Sequence, residues 1–338
     1  MDAAGALVAW VGARLLAHPR NPWQILDIPN ERSLHARPVP RTGGFAILAG
    51  AMVVAIGDPW TLSPALAVIA VALFAIAFLS WYDDRRGLSP GLRLVVHVAA
   101  ALAVALLLAP QARGWLPGVE GAIAGPLAIP LVGVFLVWWI NLYNFMDGMD
   151  GFAGGMAVFG FGTLALLGHR AHDPTFVGVA LGLASAAFGF TVTNFPPALL
   201  FMGDVGATVL GFLVGILILV GSARGDFPLW VGLVAFSPFL VDATVTIMKR
   251  AVRGERLTAA HREHYYQRLV RAGLSHRQTV LAEYALMATC SLGAYGAVGA
   301  SVAAQWAIIA ALAALYGVLA AVVRRWEGHG QASGKTAR

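Results

Sequence analysis

Long apolar runs separated by short polar segments extend along almost the whole chain. The runs approach the length of about 20 residues that an α-helix needs to cross a bilayer, and they are rich in Leu, Ala, Val and Gly. The alternating segments of roughly ten residues that are typical of an outer-membrane barrel are absent. The pattern therefore predicts an all-α, polytopic helical bundle embedded in a membrane. Eleven transmembrane helices are predicted, at residues 2–17, 43–57, 64–80, 91–109, 126–146, 155–168, 175–193, 205–222, 229–248, 278–299 and 302–323.

The composition supports a membrane protein. Of the 338 residues, 59% are hydrophobic and 12% are charged, which is about half the charged fraction of a soluble protein. The start, MDAAGALVAW, has no basic residue ahead of its apolar run, which favours a retained first span over a cleaved signal peptide. Residues 1–323 are expected to form one transmembrane domain, and the polar tail at 324–338 is expected to be cytoplasmic and disordered.

Basic residues are distributed unevenly between the predicted loops. The loops that share one face with the C-terminal tail are 18–42, 82–90, 147–154, 194–204 and 249–277. That face holds most of the Lys and Arg side chains, whereas the opposite loops hold only Arg113, Arg170 and Arg224. The positive-inside rule then places the N-terminus outside and the C-terminus in the cytoplasm. The rule also accounts for the formal charge of +6 without a nucleic-acid partner.

The same face carries an unusual set of acidic side chains near the ends of the spans. They are Asp83, Asp84, Asp147, Asp150 and Asp204. Carboxylates near the hydrocarbon boundary are costly, so they indicate a functional site. Mg²⁺ and Mn²⁺ prefer oxygen ligands and take one or two carboxylates together with substrate phosphates. Because arginines and histidines on this face can bind phosphate oxygens, the set predicts phosphoryl transfer to an acceptor carried by a lipid.

Structural roles remain open for several of these residues. Asp204 could cap the N-terminus of the eighth span, and the two aspartates after the fifth span could form a turn among glycines. His261 and His264 share a helix face and have the spacing of a zinc pair, but no third ligand is evident. Asp242 lies inside the ninth span and is interpreted as a buried structural group.

Five sequence elements occur in a specific order beside the predicted spans: RPVPRTGG, DDRRGLSPGLR, NLYNFMDGMDG, FMGDVGATVLG and HREHYYQR. In this order they resemble the polyprenyl-phosphate N-acetylhexosamine-1-phosphate transferases. That superfamily includes phospho-MurNAc-pentapeptide translocase and enzymes that initiate O-antigen synthesis. The resemblance covers residues 27 to 277, and it implies an active site on the cytoplasmic face of a bacterial inner membrane.

The resemblance implies a role for each matching residue. The expected catalytic residues are Asp83, Asp84, Asp204 and His264. The expected substrate-binding residues are Arg37, Arg93, Asn144, Asp147, Asp150, Asn194, Phe201, His261 and Arg268. The expected metal ligands are Asp204, Asp147 and Asp150. Asp83 matches an aspartate that deprotonates or positions the lipid phosphate. Phe201 matches an aromatic residue that stacks on uracil. Arg93 stands at a position where the family often has lysine.

The implied reaction joins a UDP-N-acetylhexosamine and undecaprenyl phosphate into undecaprenyl-diphosphate-HexNAc, with release of UMP and with Mg²⁺ or Mn²⁺ as cofactor. Direct attack by the lipid phosphate is favoured over an aspartyl-phosphate intermediate. The peptidoglycan translocase has three consecutive histidines where this chain has HREH. This difference favours an enzyme that initiates O-antigen or capsule repeats over a MurNAc-pentapeptide transferase. The donor sugar stays open, and so does the oligomeric state, for which a homodimer is one option.

Two other classes of membrane protein fit the sequence less well. A secondary transporter would have ionisable groups near the bilayer midplane and an internal repeat, whereas these acids gather at one surface. A CDP-alcohol phosphotransferase would carry its acids in one compact motif, and that motif is missing from the chain.

Overall fold

The computed structural model describes residues 2–29, 34–56, 64–109, 113–119, 121, 125–256 and 261–335. Within these ranges the chain forms thirteen α-helices and one two-stranded antiparallel sheet. The helices are α1 (Asp2–Ala17), α2 (Gly43–Ile56), α3 (Pro64–Arg86), α4 (Pro90–Leu108), α5 (Ala128–Met146), α6 (Phe152–Arg170), α7 (Pro174–Asn194), α8 (Gly203–Arg224), α9 (Leu229–Ala235), α10 (Ser237–Val252), α11 (Tyr265–Arg271), α12 (His276–Ala297) and α13 (Val302–Lys335). The strands are β1 (Leu26–Asp27) and β2 (Val39–Pro40).

Seven of the described helices are long and apolar enough to cross a membrane, namely α3 to α8 and α13. An eighth span results if α9 and α10, which meet at an angle of 86°, are counted together. Helices α1 and α2 are apolar but shorter. The prediction of an all-α polytopic membrane protein is confirmed, whereas the count of eleven spans and the placement of the two termini remain predictions.

Two departures from the predicted helices have physical causes. The expected ninth span is broken at Phe236, and α10 begins with Ser237 and Pro238. Proline lacks an amide hydrogen, so it is accommodated in a first helical turn but not inside a continuous helix. The second departure is α13, which continues to Lys335, beyond residue 323 where the eleventh span was expected to end. A helix that the apolar span has already nucleated extends at little further cost.

Helix α8 lies at the centre of the bundle and carries the site at its first turn. In its most apolar stretch 89% of the residues are buried, against 11% in α13. Gly211 lets α8 approach α5 closely, because a Cβ there would collide with the carbonyl oxygen of Trp139. The hydroxyl groups of Ser80 and Thr208 lie 2.9 Å apart and join α3 to α8. The end of α3 is thereby held against the beginning of α8.

Candidate active site

Two loops that are far apart in sequence form a backbone junction at the start of α8. The amide of Gly43 donates to the carbonyl of Phe201 (2.9 Å). The amide of Phe201 donates in turn to the carbonyl of Pro40 (2.7 Å). Gly203 has a φ of +72°, and a Cβ at this position would collide with the carbonyl oxygen of Arg41. Only glycine therefore allows this approach without strain, and the junction places Arg41 beside the first turn of α8.

Three aspartates from α3 and α8 meet two arginines at this junction. Arg93, in the first turn of α4, places one guanidinium nitrogen 2.8 Å from Asp83 and 3.7 Å from Asp204. Arg41 donates to the backbone carbonyl of Asp84 (2.7 Å), and its guanidinium lies 3.3 Å from the carboxylate of the same residue. The side chains of Asp83 and Asp204 are also in direct contact. The structure thus brings together acids that the sequence places in two separate segments.

Asp204 does not cap the N-terminus of α8, which was the structural role that its position in the sequence left open. Asp204 lies in the first turn of α8, and the cap position is occupied by Met202, whose side chain makes no hydrogen bond to the helix end. The amide of Asp204 instead donates to the carboxylate of Asp84 from the neighbouring helix. The carboxylate of Asp204 is left to face Asp83 and Arg93. A helix cap therefore does not explain this acid.

The bend between α5 and α6 supplies a fourth carboxylate. Asp147 follows the last residue of α5, and its amide donates to the carbonyl of Tyr143 (3.1 Å). Burial, and then the negative charges of Asp204 and Asp84, raise the pKa of Asp147 from 3.8 to about 7. Asp147 is therefore near enough to two of the three aspartates at the junction for their charges to act on it. We refer to Asp83, Asp84, Asp147 and Asp204 as the acid cluster.

Asp150 and Asn194 hold neighbouring backbone segments rather than joining the acid cluster. The Asp150 carboxylate accepts from the amide of Ala198 (3.1 Å). The Asn194 side chain accepts from the amide of Gly151 (2.8 Å) and donates to the carbonyl of Leu200 (2.8 Å). Both residues are predicted to bind substrate, and Asp150 also to bind metal. In the structure both connect the α5–α6 bend with the segment between α7 and α8.

The segment that contains the histidines packs on the bend through α11. His264 is buried, and its Nδ1 lies 3.3 Å from Asp242, whose carboxylate also accepts from the amide of Tyr265 (2.9 Å). Asp242 therefore anchors the start of α11, in agreement with its interpretation as a structural group. Arg268 forms a bidentate ion pair with Glu327 of α13 (2.8 and 2.6 Å). The side chains of His264 and Arg268, both predicted to serve the reaction, thus have partners within the protein.

The remaining predicted binding residues differ in exposure. Phe201 is half-buried, and the centre of its ring lies 4.9 Å from that of His35 in an edge-on contact. His261 is half-buried and packs its ring 4.9 Å from that of the buried histidine before α11. Asn144 is half-buried one turn before the bend, and Arg37 is exposed. Phe201 and Asn144 are therefore accessible to a ligand from positions that adjoin the acid cluster in sequence.

Three polar residues around the site, Arg41, His276 and His97, carry no assignment from the sequence pattern. Arg41 pairs with Asp84 as described, and the glycines of RPVPRTGG were the signal for its close approach. His276 opens α12 and lies 3.3 Å from the carboxylate of Asp150. His97 lies one turn after Arg93 in α4, is 4% exposed, and has no hydrogen-bond partner for either ring nitrogen within the described part of the chain. A single histidine in an apolar run gives no periodic signal, so sequence analysis had no means to find it.

The acid cluster has the donors that a hard divalent cation prefers. In the ranges that the structure describes, no three Asp, Glu, His or Cys side chains converge closely enough to hold a metal by themselves. Mg²⁺ needs only one or two carboxylates where substrate phosphates and water complete its shell. One carboxylate oxygen of Asp84 is buried and accepts no hydrogen bond, and it lies 3.3 Å from the guanidinium of Arg41. The concentration of negative charge fits a cation, and the charge of Asp204 acts on Asp147.

Comparisons with known proteins show the family to which the chain is similar. Residues 66–222 match the sequence model of glycosyl transferase family 4. The probable undecaprenyl-phosphate N-acetylglucosaminyl 1-phosphate transferase of Bacillus subtilis (strain 168) is 29% identical over 262 residues, which cover 77% of this chain and 73% of that protein. The phospho-N-acetylmuramoyl-pentapeptide-transferase of Synechococcus sp. (strain JA-3-3Ab) is 32% identical over 283 residues, which cover 78% of this chain and 81% of that protein.

A third relative, the undecaprenyl-phosphate alpha-N-acetylglucosaminyl 1-phosphate transferase of Yersinia pestis, is 26% identical over 296 residues, with 81% of this chain and 77% of that protein covered. The matches to these three relatives cover 77–81% of this chain. The chain therefore belongs to glycosyl transferase family 4, within the superfamily of polyprenyl-phosphate N-acetylhexosamine-1-phosphate transferases that its five sequence elements resemble.

Proposed function

We propose that the protein transfers an N-acetylhexosamine 1-phosphate from a UDP-sugar to undecaprenyl phosphate, which yields undecaprenyl-diphosphate-HexNAc and UMP. The observation that carries this proposal is the meeting of three aspartates with Arg41 and Arg93 at the end of α3 and the starts of α4 and α8. The names of the Bacillus and Yersinia relatives support it, because both are undecaprenyl-phosphate N-acetylglucosaminyl 1-phosphate transferases by name. The product would begin an O-antigen or another cell-envelope polysaccharide.

The direct route needs few groups from the protein. An oxygen of the lipid phosphate attacks the phosphorus that carries the sugar, and the bond from this phosphorus to the UMP oxygen breaks. UMP leaves with the electron pair of that bond. A phosphate monoester has a second pKa near 6 and is largely ionised at neutral pH, so it needs orientation more than deprotonation. Asp83 contributes to this orientation by holding the guanidinium of Arg93 at 2.8 Å.

The two arginines are placed to receive phosphate oxygens. Their side chains are 33% (Arg41) and 34% (Arg93) exposed, although each already contacts an aspartate. Each guanidinium has five N–H donors, so it can bind an incoming phosphate without releasing its aspartate. The arginines thereby neutralise negative charge on the diphosphate, and the aspartates keep them in place.

Mg²⁺ is the proposed cofactor, with Mn²⁺ as an alternative, and Asp204 and Asp147 are its proposed protein ligands. A bound cation supplies positive charge to the diphosphate oxygens and to the departing UMP. Because the crowded carboxylates repel one another, we also expect the cation to stabilise the folded protein by mass action. Thermal unfolding of the purified protein should therefore shift upwards with Mg²⁺ in the absence of substrates. Asp204→Asn should lose most of this shift, and an equal shift in that variant would contradict the assignment.

We also propose that the acid cluster lies at the cytoplasmic face of a bacterial inner membrane. The uneven distribution of basic residues supports this orientation. Cys290 is the single cysteine and is buried, so a Cys290→Ser background allows each face to be labelled separately. Arg86→Cys at the end of α3 should be protected from an impermeant maleimide in spheroplasts, whereas Arg113→Cys should react. The reverse pattern would invert the proposed orientation.

A MurNAc-pentapeptide donor is the second candidate, because the Synechococcus relative is named for that reaction. The HREH segment favours a simpler UDP-N-acetylhexosamine instead. The two are separated by incubating purified protein with undecaprenyl phosphate, Mg²⁺ and a panel of UDP-sugars and by measuring released UMP. We expect turnover with UDP-GlcNAc or a 6-deoxy relative. Turnover with UDP-MurNAc-pentapeptide alone would favour the second candidate. Failure to release UMP from any donor, together with ion-driven uptake in vesicles, would indicate a transporter.

A further inference from the structure

A cavity of about 390 Å³ lies between α10, α11 and the end of α13. Helix α11 separates it from the acid cluster. Tyr266 on one side of α11 packs on Phe152 and against the α5–α6 bend at Gly148, whereas Tyr265 and Arg268 on the other side line the cavity. The cavity is therefore distinct from the proposed reaction site.

The wall of this cavity is strongly basic. Its cationic side chains are Lys249, Arg253, Arg262, Arg268, Arg271 and Arg324, and we refer to them as the basic recess. The lining contains two acids, Glu263 and Glu327, and Glu255 lies 2.6 Å from Arg253 at the edge. Six cations thus face three acids. Such an excess of positive charge in a concave surface favours an anionic ligand.

The internal ion pairs do not use all of this charge. Glu327 pairs with Arg268, and Glu263 pairs with Arg253. Arg271 lies at the end of α11, and Arg324 follows the apolar run of α13 and donates to the carbonyl of Ala320 (3.4 Å); both side chains are exposed at the recess. These two arginines from different helices are therefore placed to bind one phosphate group between them.

An apolar surface continues directly from the basic recess. On α10, Val252 is 89% exposed and Met248 is 62% exposed, and each precedes a cation of the recess in the chain. On α13, Trp326 is 46% exposed and follows Arg324 by two positions. The apolar run of α13 ends at Val323, directly before Arg324 and Arg325. Exposed tryptophan at the end of such a stretch is typical of the boundary between the hydrocarbon of a membrane and water.

We propose that the basic recess binds the phosphate headgroup of an anionic phospholipid from the surrounding membrane. The headgroup would lie between Arg271 and Arg324, and the acyl chains would lie along the exposed apolar side chains of α10 and α13. Clusters of basic residues at the membrane surface attract anionic lipids, and the apolar surface below the recess favours a lipid over a soluble phosphate. The bound lipid would connect α11 to α13, beside the ion pair of Arg268 with Glu327.

The proposal can be tested in nanodiscs without any measurement of turnover. Trp326 would report on the site, and its contribution is the difference in fluorescence between the wild-type protein and Trp326→Phe. Brominated phosphatidylglycerol or brominated phosphatidylcholine is diluted into unlabelled phosphatidylcholine. We expect brominated phosphatidylglycerol to quench Trp326 more strongly than brominated phosphatidylcholine does. This excess should disappear in the double variant Arg271→Gln/Arg324→Gln.

The matched control is Arg277→Gln, which removes the same kind of exposed charge from α12 outside the basic recess. It should keep the excess quenching, and each single variant, Arg271→Gln or Arg324→Gln, should lose part of it. Unfolding temperatures of all variants are compared so that a loss is scored only in folded protein. Equal quenching by the two lipids in the wild-type protein, or an unchanged excess in the double variant, would overturn the proposal. So would an equal loss in Arg277→Gln.

Discussion

The two ends of the helix bundle use acidic residues in different ways. At the end where α7 begins, Asp173 caps the helix by accepting from the amide of Phe176 (2.9 Å), and it pairs with Arg224 (2.6 Å). Burial alone would raise the pKa of Asp173, but this hydrogen bond and the ion pair hold it below 3.8. At the other end, burial and then the charges of Asp204 and Asp84 raise the pKa of Asp147 to about 7. An aspartate stabilises the fold at one end of the bundle, whereas several aspartates are crowded together at the other end.

This difference indicates where the molecule carries its function. Asp173 has a structural task that accounts for its position and its neighbours. In the acid cluster, Asp204 caps no helix and contacts another acid, which a structural role does not require. Groups whose pKa values are perturbed by burial and by like charges are concentrated at functional sites. The comparison is therefore best tested by making equal substitutions at both ends.

The largest difference is expected between Asp204→Asn and Asp173→Asn. Loss of the charge of Asp204 should lower UMP release by about 10²- to 10³-fold, the range typical of groups that stabilise transition-state charge. Asp173→Asn should leave UMP release nearly unchanged and cost at most about 1 kcal/mol of stability, because asparagine keeps the cap and loses only the partly exposed ion pair with Arg224. Comparable losses of UMP release in the two variants would contradict the assignment of a functional role to Asp204 and a structural role to Asp173.

A smaller effect should separate charge from geometry at Arg93. Arg93→Gln should lower UMP release by about 10²-fold, because Asp83 and Asp204 lose their shared cation. Arg93→Lys keeps the charge and supplies the residue that the family often has here, so it should retain activity within about tenfold. Arg224→Gln at the opposite end is the control and should not affect turnover. Equal losses in Arg93→Gln and Arg93→Lys would show that the fork of the guanidinium, rather than its charge, is required.

Glycines at the two ends of α8 provide a matched test of the backbone junction. Gly203 and Gly225 have φ values of +72° and +83°, so alanine is strained at both positions. A Cβ at Gly203 would also collide with the carbonyl of Arg41, whereas nothing lies within 4 Å of one at Gly225. Gly225→Ala should cost about 1 kcal/mol of unfolding free energy and Gly203→Ala about 2–4 kcal/mol. Denaturation in detergent measures both, and equal costs would exclude the close approach.

The smallest effect concerns Asp226, at the same end as Asp173. Burial, and then the charge of Asp173, raise the pKa of Asp226 from 3.8 to about 6. The folded state therefore binds this proton more tightly than the unfolded state, so ionisation costs stability as the pH rises from about 4 to 6. Asp226→Asn should stabilise the protein by about 1–2 kcal/mol at pH 7, after allowance for partial solvent screening, and by nothing below pH 4. Unfolding temperatures at the two pH values test the sign, and destabilisation at pH 7 would contradict it.

Hydropathy was sufficient to predict where most of the helices lie. The second span was expected at 43–57 and the helix covers Gly43–Ile56, because an apolar run of this length has few alternatives in a bilayer. The acids were also predictable, since Asp83 or Asp204 at the end of an apolar run is costly unless it has a function. Periodicity could not predict the break at Phe236, where the chain turns by 86° at the start of a new helix.

The sequence could not show which of Asp147 and Asp150 is better placed to bind a metal, and the reason is different. Both acids precede a glycine, so their local patterns are nearly identical. Their roles diverge through tertiary contacts, because Ala198 and His276 bind the second acid while the first faces Asp204. The pairing of Arg41 with Asp84 was likewise hidden, since it depends on a junction with a distant part of the chain.

The backbone junction also determines the order in which the site can be assembled. Arg41 and Asp204 are 163 positions apart in the chain, and the hydrogen bonds that join Pro40 and Gly43 to Phe201 cannot form until the segment around Phe201 has been synthesised. Asp83, Asp84 and Arg93 enter the membrane earlier. Because chains fold from the N-terminus during synthesis, a ribosome-bound intermediate would hold these groups without their counterpart from α8. The enzyme would therefore become competent only at a late stage of its own translation.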